Sequence, residues 1–175
     1  MIEGWLLGYL DGKSVPFCLI GASALAVRGF ARFTADVDLL TLSADVLRPE
    51  FWAGFEHGSV EIRQGEPGDP LRGVVRLGLE PVHDLVVGLG YAAKVATDTA
   101  EPVPTVPCKV ATPLGLILLK LEAGSPRDRL DILGLVSAQR ELTGAPWLPD
   151  LPGHIPRLSR EAQAVWEKVK ADLPG

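Results

Sequence analysis

Two cysteines in 175 residues, Cys18 inside an apolar run and Cys108 after a proline-rich loop, supply neither a disulfide framework nor a metal-ligand spacing. The three histidines, His57, His83 and His154, are scattered as well, which excludes a sequence-encoded zinc site. Basic charge is scarce: 17 Lys and Arg against 22 Asp and Glu give a net charge of −5, so a broad electrostatic grip on nucleic acid is excluded and any such contact must be local. No apolar run reaches the length needed to span a bilayer, and the opening MIEGWLLGYLDGKSV has neither a basic stretch nor a small-residue cleavage site; the expectation is a cytoplasmic protein without a membrane partner. Internal repeats are missing too.

What is present is a foldable balance, 47% hydrophobic and 22% charged, which rules out a disordered chain. The length suits one compact domain with an appended element. We expect an α/β (α+β) fold, a mixed β-sheet flanked by helices and followed by C-terminal helices, with the domain over residues 1–143 and a proline-rich linker plus packed helix over 144–175. Leu6, Leu7 and Leu10 at helical spacing predict a first helix, Val15 to Ile20 a buried strand, and Ala22 to Arg28 a helix ended by Gly29. Asp36 to Leu42 reads as a second strand, and the stretch 43–58 as a short helix with Pro49 in its first turn. Three more strands follow at Ser59–Arg63, Val74–Leu77 and His83–Val87, and a short run at 108–110 comes after a proline-rich loop.

The C-terminal part announces its helices through their caps. Thr112 with Pro113, Ser125 with Pro126 and Asp128, and Ser159 each carry an N-terminal signal. Residues 144–156, GAPWLPDLPGHIP, repeat proline too often for helix or central strand and predict a surface linker. The last helix presents Ala162, Val165, Trp166, Val169 and Leu173 as a stripe that packs on the domain or on a partner.

Chemistry concentrates in Gly21 to Leu40, GASALAVRGFARFTADVDLL. A strand ending at Gly21 leaves the amides of Ala22, Ser23 and Ala24 open at the next helix N-terminus, a seat for phosphate. Residues two apart on a strand share a face, so Asp36 and Asp38 project together while Val37 is buried. Two adjacent carboxylates repel, and a hard divalent cation, Mg²⁺ or Mn²⁺, relieves that repulsion with substrate phosphates completing its coordination. Asp84, which opens an apolar strand as Asp36 does, is the best third carboxylate; Glu61 on another strand is the alternative.

Gly21-Ala22-Ser23-Ala24 followed by Gly29, Arg32, Thr34, Asp36, Val37 and Asp38 resembles the signature of the minimal nucleotidyltransferase superfamily, including its toxin-type members. Lys120, Ala123, Gly124, Arg127, Asp128 and Asp131 resemble its lysine-bearing helix and the Arg-Asp helix after it. The resemblance implies that Gly21, Ala22 and Ser23 lie against a nucleoside triphosphate, that Arg32 and Lys120 face it, and that Asp36, Asp38 and Asp84 hold metal and activate a hydroxyl. It implies transfer of a nucleoside monophosphate to a hydroxyl of RNA such as tRNA, of protein or of a small molecule; the alternative is an inactive binding module, a partner of a toxin or antitoxin. The family usually has Gly-Gly or Gly-Ser where this chain has Gly21-Ala22, with the hydroxyl one residue later. Residue chemistry alone leaves other uses open: Arg32 and Thr34 can simply shape their loop, Lys120 can reach solvent, Asp128 suits a helix cap, and Asp131 can pair with Arg127 one turn earlier.

Overall fold

A computed structural model describes residues 2–144 and 150–173. Its elements run α1 (Gly4–Gly12), β1 (Phe17–Leu19), α2 (Gly21–Val27), β2 (Asp36–Thr41), β3 (Ser59–Gln64), β4 (Leu71–Gly78), β5 (Val82–Gly88), α3 (Gly90–Asp98), β6 (Glu101–Pro102), β7 (Lys109–Val110), α4 (Pro113–Ala123), α5 (Pro126–Thr143), α6 (Leu151–His154) and α7 (Arg160–Asp172). The strands form one mixed sheet of order β3-β4-β5-β2-β1-β7-β6. β2 runs parallel to β5 and antiparallel to β1, and β3-β4-β5 is an antiparallel meander.

The parallel register sets Asp36 against Val82, Asp38 against Asp84 and Leu40 against Val86. Side chains alternate, so one sheet face carries Asp36, Asp38, Leu40, Asp84 and Val86, while Val37, Leu39, His83, Leu85 and Val87 lie buried on the other. That second face takes the residues between β2 and β3, which form two 3₁₀ turns, Ala44–Leu47 and Pro49–Trp52, where the sequence predicts one α-helix. Pro49 starts the second turn, where a missing N–H costs nothing. Tyr9 donates to the Phe51 carbonyl at 2.7 Å and stacks on Trp52, tying α1 to these turns.

The caps read from sequence are all made: Thr112 Oγ1 accepts from Gly115 N, Ser125 and Asp128 form a reciprocal capping box, and Ser159 Oγ accepts from Ala162 N. α3 is a helix that the sequence reading passes over, because its buried stripe of Ala92, Ala93 and Ala96 gives little hydrophobic contrast. The linker expectation needs correction as well. Leu151–His154 is helical and runs into a 3₁₀ turn at Ile155–Arg157, with Leu151 and Ile155 buried. Pro152 and Pro156 sit in first turns, where proline is tolerated; residues 145–149 lie outside the described residues. In α7, Ala162, Trp166 and Val169 are buried, and the helix packs on α4 and α5, so this part of its stripe belongs to the core. No helix among the described residues is long and apolar enough to cross a membrane.

Candidate active site

Gly21 joins β1 to α2 at φ +62°, a left-handed conformation that favours glycine. The turn lies directly over β2: Ile20 N donates to the Asp38 carbonyl at 2.9 Å, and a Cβ placed on Gly21 would stand 1.9 Å from Asp38 Oδ2. Gly21→Ala should therefore displace the Asp38 carboxylate and cost about 1–3 kcal/mol, read as a lower Tm together with a changed response to divalent cations. Of the three amides expected to seat a phosphate, that of Ala24 is already spent on the Ile20 carbonyl at 3.2 Å.

Asp36, Asp38 and Asp84 meet on one sheet face. Burial, then the charges of Asp84 and Asp36, push the Asp38 carboxyl above its ordinary value, while Lys120 and Arg32 pull it partly back. Arg76 of β4, paired in register with Asp84, grips it with a two-pronged fork: Nε donates to Oδ1 at 2.8 Å and Nη2 to Oδ2 at 2.7 Å. The same Nη2 stands 3.5 Å from Asp36 Oδ2. Thr34 exchanges contacts with the Asp36 backbone at 3.2 and 3.3 Å, which shapes the entry to β2. Glu61 pairs instead with Arg63 at 2.8 Å, on a strand separated from β2 by β4 and β5.

Along the same face, past Leu40 and Val86, opens a cleft of about 540 Å³ walled by α3, α4, the start of α7 and the loop at Gly68–Leu71. Gly21 and Lys120 are among its lining residues.

Lys120 does not reach solvent. It is 8% exposed and donates to Asp131 Oδ2 at 2.6 Å and Asp128 Oδ1 at 3.0 Å. Asp131, for which the sequence leaves a pair with Arg127 open, holds Lys120 and also Arg32, whose Nε lies 2.9 Å from Oδ1 as an ion pair rather than an aligned hydrogen bond. Two cations and two anions thus form a balanced network close enough to Asp38 to act on its charge.

No protein-family model matches the chain, and no curated protein matches it. Solved structures do. A nucleotidyltransferase-like antigenic protein from Paracoccidioides brasiliensis superposes with a TM-score of 0.56 at 18% identity, over 98% of this chain and 91% of that one. The antibiotic-resistance factor ANT(2'')-Ia matches in solution with a TM-score of 0.50 at 14% identity, over 95% and 88% of the two chains. Its crystal form in complex with adenylyl-2"-tobramycin gives 0.50 at 13% identity, over 95% and 93%. The chain has the nucleotidyltransferase fold. At these identities the likeness speaks for the architecture, so roles within this nucleotidyltransferase fold rest on the geometry above.

Arg76 is the residue of this nucleotidyltransferase fold that sequence reasoning missed. Its signal was a charged residue inside the strand VVRLG: folding β4 and β5 about Glu80 sets residue 76 against 84. The residues suit a divalent cation through Asp36 and Asp38, which offer hard oxygen donors in a cluster whose repulsion is already felt at Asp38. Both Asp84 oxygens are engaged by Arg76, and among the described residues no group of three or more His, Cys, Asp or Glu is arranged to hold a metal.

Asp128 follows its capping expectation. Burial alone would raise its carboxyl, but hydrogen bonds from Ser125 and Lys120 outweigh burial and hold it below its ordinary 3.8. The folded state then binds this proton less readily than the unfolded chain, so the contribution is complete above about pH 4 and is lost as pH falls through the lowered folded value. Asp128→Asn should cost about 1 kcal/mol at neutral pH and flatten part of the acid limb of a Tm-against-pH curve. An unchanged limb would contradict this origin.

Proposed function

We propose that the chain transfers a nucleoside monophosphate from a nucleoside triphosphate to a hydroxyl acceptor. One observation carries this reading: three aspartates share a sheet face beneath a left-handed glycine turn, beside a cleft large enough for a nucleotide. The acceptor oxygen forms a bond to the α-phosphorus as its proton passes to Asp84 and on to solvent, the bond from the α-phosphorus to the oxygen bridging to the β-phosphate breaks, and pyrophosphate leaves with that oxygen. Mg²⁺ or Mn²⁺ held by Asp36 and Asp38 would supply charge neutralisation for the phosphates. The amides of Gly21, Ala22 and Ser23 face the triphosphate, Arg32 and Lys120 give the site positive charge from their network, and Asp84 accepts the hydrogen bond of the attacking hydroxyl.

Asp69, Glu122, Asp128 and Glu161 line the cleft against one base, Lys120. The triphosphate enters such a lining neutralised by its divalent cation, whereas a phosphate-rich acceptor strand has no such partner, so the charge favours a protein or small-molecule hydroxyl and leaves RNA such as tRNA an approach from outside the cleft. In the ANT(2'')-Ia complex the bound ligand is an adenylylated small molecule. The cytoplasm, where triphosphates and Mg²⁺ coexist, suits such a reaction. The test is incubation with each labelled triphosphate, Mg²⁺ or Mn²⁺, and either RNA, protein or small-molecule fractions; label transferred to any of them supports the reading, and label transferred to none opposes it.

The second reading, a nucleotidyltransferase-fold binding module that transfers nothing, such as a toxin or antitoxin partner, has the Arg76 fork in its favour, since the fork occupies the third carboxylate. Residues 144–175 would then serve as a docked appendage of the domain at 1–143 in either reading.

A further inference from the structure

We propose that Arg76 is a resident counter-cation of the acidic site, which competes with a divalent cation for Asp84 and limits how many carboxylates the metal can recruit. The inference rests on the metal-binding reading of Asp36 and Asp38 and goes beyond it. Strand register, not a loop, delivers Arg76: it sits directly opposite Asp84 in the β4–β5 ladder. Its guanidinium satisfies both Asp84 oxygens at 2.8 and 2.7 Å and extends to Asp36 at 3.5 Å, which places one positive group between two of the three acids. Asp84 is 13% exposed at its side chain and Arg76 40%, so the arginine can leave for solvent while the aspartate stays. A cation arriving on Asp36 and Asp38 gains Asp84 only by displacing this fork, and the released guanidinium is then free for an anionic group. Metal and arginine are linked ligands of one carboxylate, so removing either must strengthen the hold of the other.

The experiment is Mn²⁺ titration of the full chain, followed by the electron paramagnetic resonance of free Mn²⁺ and by Tm, with the metal as the only probe. Arg76→Gln should tighten Mn²⁺ binding by roughly tenfold or more, and Arg76→Lys, which keeps the charge but cannot form the fork, should give an intermediate value and covers the case in which Arg76→Gln does not fold. In an Asp84→Asn background the gain from Arg76→Gln should vanish, which separates competition for Asp84 from a general loss of positive charge. Equal Mn²⁺ affinity in wild type and both Arg76 variants overturns this proposal while leaving the Asp36/Asp38 reading intact, as does a gain that persists with Asp84→Asn. No Mn²⁺ binding by wild type or by either variant overturns both.

Discussion

Asp36→Asn and Asp38→Asn should each lower nucleotidyl transfer by at least about a hundredfold and leave the protein folded. The two carboxylates extend from the entry of β2 onto the same face and serve no core contact that an amide would break. Asp38→Asn should in addition raise Tm by roughly 2–4 °C, the shift expected of about 1 kcal/mol in a chain of this length, because it removes a charge opposed by burial and by Asp84 and Asp36. Wild-type Tm should climb with Mg²⁺ or Mn²⁺ and further with a triphosphate; hundredfold saturation by a ligand that binds only the folded state adds about 2.7 kcal/mol. Either Asn variant should lose most of that gain. A wild-type melt indifferent to metal and triphosphate at millimolar levels would sink the enzymatic reading and leave the binding module.

Asp131→Ala should destabilise the fold by about 3–5 kcal/mol, the largest effect expected of a substitution outside the apolar core. Asp131 is 2% exposed and compensates two cations at once, so its loss leaves Lys120 with Asp128 alone and Arg32 with no carboxylate from the network. Burying a charge without its partner costs far more than never having charged the site. The comparison that isolates this cause is Lys120→Met with Asp131→Leu, which should recover much of the loss in urea unfolding because it removes charge from both sides of the pair. If the double variant is as unstable as Asp131→Ala, shape and not charge governs the site.

Where sequence and structure agree, the reason is local. The Asp36-Val37-Asp38 alternation needs only the two-residue period of a strand, and Thr112, Ser125 and Ser159 need only the amides of their own first turns. The nucleotidyltransferase resemblance drew on the same stretches and agrees with the observed fold. Where the two part, the determinant lies elsewhere in the chain. Arg76 acquires meaning only once β4 is laid against β5, and Asp131 meets Arg32 rather than its helical neighbour Arg127 because α5 passes the loop after α2. Alanine-rich α3 is quiet for a different reason: small side chains suffice where helices approach closely, as at Gly115, where a Cβ would come within 2.7 Å of the Ala96 Cα. The prolines of 150–157 misled because their position in a first turn is invisible until the turn exists.

The parallel pairing of β2 with β5 has a consequence in time. Asp38 and Asp84 sit side by side, yet the chain between them contains two other strands, so their contact is non-local and closes a long loop. During synthesis from the N-terminus, a chain that has emerged only through β4 carries Asp36, Asp38 and Arg76 without Asp84. One that stops after β5 still lacks Lys120 and Asp131. The acidic centre and the ion-pair network beside it are thus complete only in a chain that extends through α5, and a nascent or truncated chain holds part of their residues without holding the site.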